Sequence, residues 1–395
     1  AYEISTRDWS SDVCSSDLAN MTVEMDNTDK LKVLYEDALK MGMSFEAPNI
    51  NRGTHNFEPI SDKTIRYGLG AIKGSGAQAI EAIVAAREKG GAFTSLYDFA
   101  RRVDRTKLNK RTVEALIKAG AFDCLDLNRA SLLASVDRSF DFASANEANA
   151  NQGGLFDMGD DTHGSSLQEP DLVSALPWGV KERLTHEKSA LGFYLSGHLF
   201  DEVDREVRHF VKTRIDDLMD SRDAQLLTGI VSDMKTINGQ RGRLAIFKLD
   251  DKSGVIEATV DEATMNTYRH LLREDELVIV MGKVQNDRFS GGLRLSINQV
   301  WDLNQARCRF GKYLRVAVNG TVPDIARIVR EHPARVEATE QGNLVRGLSV
   351  RLQVLREGAN AEIELGDNAK FFPSDAALAS WMAQAHQGQV QIIYE

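Results

Sequence analysis

Lys73-Gly74-Ser75-Gly76, inside the run Leu69 to Ile80, is the sharpest chemical signal in this chain. An apolar residue followed by Gly-x-Gly at the opening of a helix bares backbone N–H groups, and glycine lets a phosphate approach them closely. Such contacts hold a nucleic-acid backbone without reading bases. A dinucleotide site fits poorly, because no strand precedes the glycines and the spacing is not Gly-x-Gly-x-x-Gly. The rival reading is a helical turn whose glycines serve only packing. Downstream, Lys107, Lys110 and Arg111 belong to a basic run with Arg101, Arg102, Arg105 and Lys118, against Asp104 and Glu114. Leu116 to Phe122, around Gly120, reads as a second hairpin turn. Paired hairpins would grip both strands of a duplex, whereas the bland reading of the basic run is a solvated helix face.

Gln152, Leu155 and Phe156 form an apolar island in a stretch of Ala, Asn, Gly, Asp and Ser. A Leu-Phe pair with no core to enter suits a peptide that docks in a partner's pocket and orders on binding. Isolated apolar pairs in linkers are also common. Two later loops carry arginine: Arg241 and Arg243 in the first, Arg288 and Phe289 in the second. At the mouth of a small β-barrel, loops of this kind can hold single strands. Phe289 could stack on a base, worth roughly 1–3 kcal/mol, or plug the barrel mouth. Phe247, within a strand, belongs to the core.

No catalytic or metal site emerges. Two-metal phosphoryl transfer needs carboxylates converging from a strand platform. Glu24 and Asp26 lead into a helix, Asp160 and Asp161 lie in a polar stretch, and Asp250 and Asp251 end a strand. The 8 histidines are dispersed. Cys14, Cys124 and Cys308 make neither a C-x-x-C pair nor a disulfide framework, which argues against structural zinc and for a reducing, cytoplasmic setting. No apolar run approaches the roughly 20 residues that span a bilayer, so no membrane partner is expected.

The elements that must position these residues follow from periodicity. A chain of 395 residues with 42% hydrophobic and 27% charged content predicts a soluble multidomain protein. Its net charge of −10 is the wrong sign for a nucleic-acid coat, so local basic surface would make the contact. Ala1 to Leu18 back-translates codon by codon onto a short-read sequencing adapter. Residues 1–18 are therefore read as a non-native, adapter-derived segment, with the chain a C-terminal fragment. Residues 19–62 hold a helix from Asn27 to Met41 and an extended stretch, and residues 63–140 are read as helices broken by glycines. Residues 141–177 read as a flexible linker and 178–222 as a helical connector. Residues 223–303 give three strands, a helix and two strands, the order of an OB barrel. Residues 304–395 mix strands at Tyr313–Val318, Leu348–Val354 and Val390–Tyr394 with two helices. The fold class is thus multidomain α+β: helix-hairpin-helix region, OB barrel, small α+β domain.

Taken in order, several segments resemble the family of bacterial DNA polymerase III alpha subunits, the C-family replicative polymerases. They include Met25-Asp26-Asn27-Thr28, Pro48-Asn49-Ile50-Asn51, Tyr67 to Gly74, Lys107 to Arg111 and Gly120-Ala121-Phe122-Asp123. Leu191 to His198, Leu249 to Gly254 and Phe289 to Leu293 continue the match. Leu199 departs from the proline that family members often carry there. The resemblance implies that Lys73, Gly74, Ser75, Gly76, Lys107, Lys110 and Arg111 contact duplex DNA. It implies that Gln152, Leu155 and Phe156 bind the beta sliding clamp. Arg241, Arg243, Arg288 and Phe289 would meet single-stranded template, and residues 304–395 the tau subunit of the clamp loader. Residues 19–62 would be a remnant of the fingers domain, poorly anchored alone, while barrel and tail fold independently. The family's polymerase chemistry uses magnesium in a palm that precedes this stretch, so no cofactor is expected here. Two alternatives stay open: a non-enzymatic OB-fold single-strand-binding or scaffold protein, and the anticodon-binding module of a tRNA synthetase.

Overall fold

Asn27 opens the first long helix: in the computed structural model its side-chain oxygen accepts the Lys30 N–H at 3.2 Å, and Thr28–Lys40 follows. The structure describes residues 18–153, 168–239, 242–287, 291–339, 342–356 and 359–394. They fall into two units, one ending at His198 and the other beginning at Leu199.

In the first unit, three short strands follow that helix: β1 (Ser44–Glu46), β2 (Glu58–Ser61) and β3 (Thr64–Arg66). Their order is β1-β3-β2, with β1 and β3 parallel and β2 antiparallel to β3. The sequence pattern predicts helices throughout residues 63–140, so β3 is a correction. β-branched Thr64 and Ile65 favour a pleated surface, and Ile65 is fully buried there. Arg66 then reaches Glu46 at 2.9 Å and Glu58 at 3.2 Å, tying the strands on either side of its own.

Helices Ala77–Gly90, Leu96–Arg102, Lys110–Lys118, Arg129–Ala134, Val136–Gly153 and Val180–Leu191 complete this unit. Ser95, Asn109 and Asn128 each cap a helix by accepting a first-turn N–H. Met21, Leu31, Ile50 and Phe57 are buried in one core with Ile80, Phe99, Leu116 and Phe122. The stretch 19–62 is therefore anchored, against expectation, because its apolar residues share that core.

The flexible linker is a second correction. Phe142 to Gly153 continues the Val136–Gly153 helix, where alanine's high helix propensity outweighs the lack of large apolar groups. The Phe142 ring meets Tyr97 edge-on, with centroids 5.3 Å apart. Residues 168–177 carry no helix or strand; Leu172 packs against the core of this unit, and hydrogen bonds hold the backbone. The Val173 N–H donates to Ser135 Oγ at 2.8 Å, the Ala175 N–H to Ser131 Oγ at 3.2 Å, and Asn128 Nδ2 to the Ala175 carbonyl at 2.9 Å.

In the second unit, the part of the expected helical connector that begins it is only a 3₁₀ turn at Leu199–Glu202 and a short helix at Asp204–Val207. β4 (Ala224–Gly239), β5 (Gly242–Asp250), β6 (Val255–Asp261), β7 (Leu277–Asn286) and β8 (Leu293–Trp301) close into a barrel ordered β4-β5-β6-β8-β7. β6 and β8 pair in parallel and the other neighbours are antiparallel. Leu227, Val231, Phe247, Leu249, Val280 and Leu295 fill the barrel. Helix Glu262–Tyr268, capped by Asp261, sits between β6 and β7.

Helix Leu303–Phe310, unforeseen in the sequence, follows the barrel behind a capping box of Asp302 and Gln305. β9 (Gly311–Val318), β10 (Arg335–Thr339), β11 (Gly342–Arg346), β12 (Ser349–Arg356), β13 (Ala359–Glu364) and β14 (Val390–Tyr394) build the tail. Its main sheet runs β13-β12-β9-β14, and β10 and β11 form a separate hairpin. Helices Ile325–Glu331 and Asp375–Gln384 bury Ile328 and Trp381 among Leu314, Val316 and Val350. The fold class is the expected one: a helix-hairpin-helix region, a closed five-strand barrel and an α+β tail. Barrel and tail each have a hydrophobic core of their own and also touch. The two share a small core of Val211, Ile279, Trp301 and Ala306.

Candidate nucleic-acid interface

A 3₁₀ turn at Leu69–Ala71 feeds the glycine pair. Gly74 has φ +80° and Gly76, the N-cap residue of Ala77–Gly90, φ +66°, conformations that L side chains rarely adopt. A Cβ at either position would meet nothing within 4 Å. These glycines therefore serve the turn's shape and a bare outer surface, not close internal packing. Lys73, Gly74 and Gly76 are exposed, as are Ala77 and Gln78 of the helix's first turn. That turn's N–H groups carry the positive end of the helix dipole.

Ser75 lies elsewhere than expected. It is 1% exposed, and its hydroxyl donates to the Gly70 carbonyl at 3.3 Å. Its role is to brace the turn from inside, so the structure takes it out of direct backbone contact. The Lys73 N–H donates to the Ala190 carbonyl at 2.8 Å, fixing the turn from the other side.

Thr112, which sequence reasoning missed, joins the turn to the basic helix. Its backbone N–H goes to the Asn109 cap at 2.8 Å, while its hydroxyl donates to the Gly74 carbonyl at 3.0 Å. Cap spacing made the first bond legible, but nothing local announces a bond across 38 residues. The start of Lys110–Lys118 is thereby locked beside the glycine turn. Val113, Leu116 and Ile117 face the core, while Lys107 and Arg111 are exposed. Lys110 is half-buried and paired with Asp137, which raises its pKa.

Arg101, Arg102 and Arg105 are paired within the unit. Arg102 bonds the carbonyls of Ala86 and Gly91 at 3.0 and 2.6 Å and pairs with Asp98 at 2.8 Å. Arg101 reaches Asp98 at 3.0 Å, and Arg105 pairs with Glu147. Burial raises the Asp98 carboxyl, but its bonds from Arg102, Thr94 and Arg101 hold it below the ordinary value.

The second glycine turn also differs from the first. The N–H groups of Gly120 and Ala121 return to the carbonyls of Ile117 and Leu116 at 2.9 Å, a Schellman stop that ends helix Lys110–Lys118. A Cβ on Gly120 would lie 2.3 Å from Arg129 Nη2. Its bareness makes room for a buried arginine. Arg129 pairs with Asp123 at 2.6 Å and Glu187 at 2.8 Å, and Glu187 also accepts the N–H groups of Leu195 and Ser196.

On the barrel, Arg243 is exposed, its N–H bonded to Glu262 Oε2 at 3.2 Å. Arg241, Arg288 and Phe289 lie outside the described residues. Gln152 falls in the last turn of Val136–Gly153, while Leu155 and Phe156 lie outside the described residues. Phe247 is 1% exposed, a core residue. Among the described residues, no group of three or more His, Cys, Asp or Glu is arranged to hold a metal ion, and no helix is long and apolar enough to cross a membrane.

Comparison with known proteins agrees with this order of modules. A helix-hairpin-helix motif model matches residues 42–132, and an OB-fold nucleic acid binding domain model matches residues 226–303. The chain is thus of the class that joins a helix-hairpin-helix region to an OB barrel. DNA polymerase III subunit alpha of Neisseria meningitidis serogroup B is 43% identical over 314 residues, 79% of this chain and 27% of that protein. The Vibrio cholerae subunit is 34% identical over 384 residues, 95% of this chain and 32% of that protein. The second OB-fold domain of replication protein A from Methanococcus maripaludis matches 23% of this chain and 93% of its own at 19% identity, with TM-score 0.19. Over the shared length the chain is a homologue of DNA polymerase III alpha subunits. It spans about a third or less of the length of these curated relatives.

Proposed function

We propose that this chain supplies the DNA contacts and tethers of a replicative DNA polymerase III alpha subunit in the cytoplasm. The observation that carries the reading is the bare Gly74–Gly76 turn locked to the basic helix by the Thr112 hydroxyl. Lys73, Gly74, Gly76, Lys107 and Arg111 would cradle duplex phosphates, with Lys110 adding charge from its pair with Asp137. Arg243, with Arg241, Arg288 and Phe289, would meet the single-stranded template. Gln152, Leu155 and Phe156 would engage the beta sliding clamp, and residues 304–395 the tau subunit of the clamp loader.

DNA-directed DNA polymerisation, with its magnesium, belongs in this reading to the whole protein. The contacts proposed for this chain are made by backbone N–H groups, cations and ring faces, and they need no metal ion. The test is a titration of purified beta clamp with the chain, alongside a Leu155→Ala/Phe156→Ala variant, paired with duplex binding. Clamp affinity lost in the variant while duplex binding persists supports the tether. Equal clamp affinity in both removes it.

A further inference from the structure

A pocket of about 410 Å³ lies where the connector, the barrel and the helix after it meet. His209, Phe210, Lys212, Arg309, Phe310 and Lys312 line it, and none of its described lining residues is acidic. On a chain of net charge −10, such a one-signed pocket selects an anion.

The floor is aromatic. Phe310 and Phe210 stack with centroids 5.1 Å apart and planes 8° from parallel. Phe210 meets Tyr394 at 5.0 Å, and Tyr394 stacks on His209 at 5.7 Å. The outermost rings of this ladder, Phe310 and His209, both border the pocket. The Arg309 guanidinium stands 4.9 Å from the Trp301 ring centroid and 5.8 Å from that of Phe310. Lys212 Nζ gives one of its three donors to the Arg208 carbonyl at 3.1 Å.

Ring faces beside cations match a base and its phosphate, the pairing by which proteins hold single strands. The volume suits a nucleotide unit and is far too small for a duplex. Leu226 of β4 also lines the pocket and pairs with Met281 of β7, five residues before β7 ends at Asn286. At about 3.4 Å per residue, the pocket lies on the order of 17 Å along β7 from the loop that follows it.

We propose that this pocket is a second single-strand subsite, taking one nucleotide of a strand that has already crossed the barrel loops. A base lies against Phe310, and Lys212 and Arg309 neutralise the adjoining phosphates. The inference rests on the single-strand reading of the barrel and adds a contact beyond its loops.

The test uses the full chain and labelled oligothymidines of about 6 and about 16 nucleotides, within the usual range for one OB fold. Arg243→Glu should weaken both lengths. Lys212→Ala/Arg309→Gln should leave the short one unchanged and weaken the long one about fivefold or more. Its salt slope for the long strand should fall by about 1.4, since each single-strand phosphate contact contributes about 0.7. Unchanged urea unfolding of the double variant excludes a folding defect. If the long strand binds wild type and double variant equally, the subsite is overturned while the barrel reading stands. If neither length binds wild type, both fail. If an oligoglutamate binds at the pocket more tightly than the long strand, the site is for acidic peptides and the proposal is overturned.

Discussion

Arg307 and Glu206, 101 residues apart in sequence, meet in a two-pronged ion pair, Nε to Oε1 at 2.7 Å and Nη2 to Oε2 at 2.8 Å. The same guanidinium donates to the Pro373 carbonyl at 3.1 Å and to Asp375 at 2.6 Å. The Tyr394 hydroxyl completes the node by donating to Glu206 Oε1 at 2.6 Å. Connector, post-barrel helix and tail thus share one buried charge. With Arg307 only 4% exposed, removing it strands a largely desolvated carboxylate. Arg307→Ala should destabilise the second unit by about 3 kcal/mol, read from urea unfolding. A loss well below 1 kcal/mol would mean the node is ornamental.

Acid should find the same place. Burial raises the Glu206 carboxyl, but Arg307 and the Tyr394 hydroxyl hold it below its ordinary value. Burial likewise raises Asp251, while Ser253, Arg208 and the Ile215 N–H hold it down. Depressed carboxylates contribute stability fully above their unfolded pKa values, about 4, and lose it as pH falls through the lower folded values. Unfolding free energy should therefore be flat near neutrality and drop below about pH 4. Glu206→Gln should lower stability at neutral pH and flatten the acid limb. An acid limb identical to wild type would remove Glu206 from the account.

Two glycine substitutions should separate folding from binding. Gly120→Ala forces a Cβ against Arg129, adding a buried clash to the strain of φ +86°. It should cost more stability than the roughly 1–2 kcal/mol of left-handed strain alone. Gly74→Ala meets open space, so it should cost only that strain while weakening duplex binding. Thermal melts and anisotropy titrations on both variants decide; equal effects on both readouts would erase the distinction.

The basic run should split in the same manner. Lys73→Ala/Arg111→Ala removes exposed charges and should reduce the salt slope of duplex binding by about 1.8, at roughly 0.9 per phosphate contact. Arg102→Ala should instead lower stability, since that side chain caps carbonyls and pairs with Asp98. If Arg102→Ala reduces duplex affinity with stability intact, the division between inward and outward cations is wrong.

Much of the architecture is legible in the sequence because local patterns agree with packing. Period-two strands around Phe247 and Leu249 announce the barrel, and Gly-x-Gly before Ala77 announces the turn. What stays hidden depends on distant partners. β3 is short and takes its place from Arg66 bridging two glutamates. Ser75 has the type and place of a phosphate ligand, yet the Gly70 carbonyl claims its hydroxyl. Arg101, Arg102 and Arg105 read as a free basic face, yet Asp98 and Glu147 pair with them, and only Arg102 turns well inward. Charge counts along a chain do not reveal which cations a fold will spend on itself.

The Val136–Gly153 helix, standing where the sequence suggests a loose tether, changes the mechanics of anything attached there. Whatever follows Gly153 in the chain therefore departs from a helix end and not from a loose coil. If the proposed clamp contact is made just beyond this helix, the bound partner is kept on a short leash. Under that proposal the partner would follow the first unit closely, and its hold would depend on stiffness as much as on affinity.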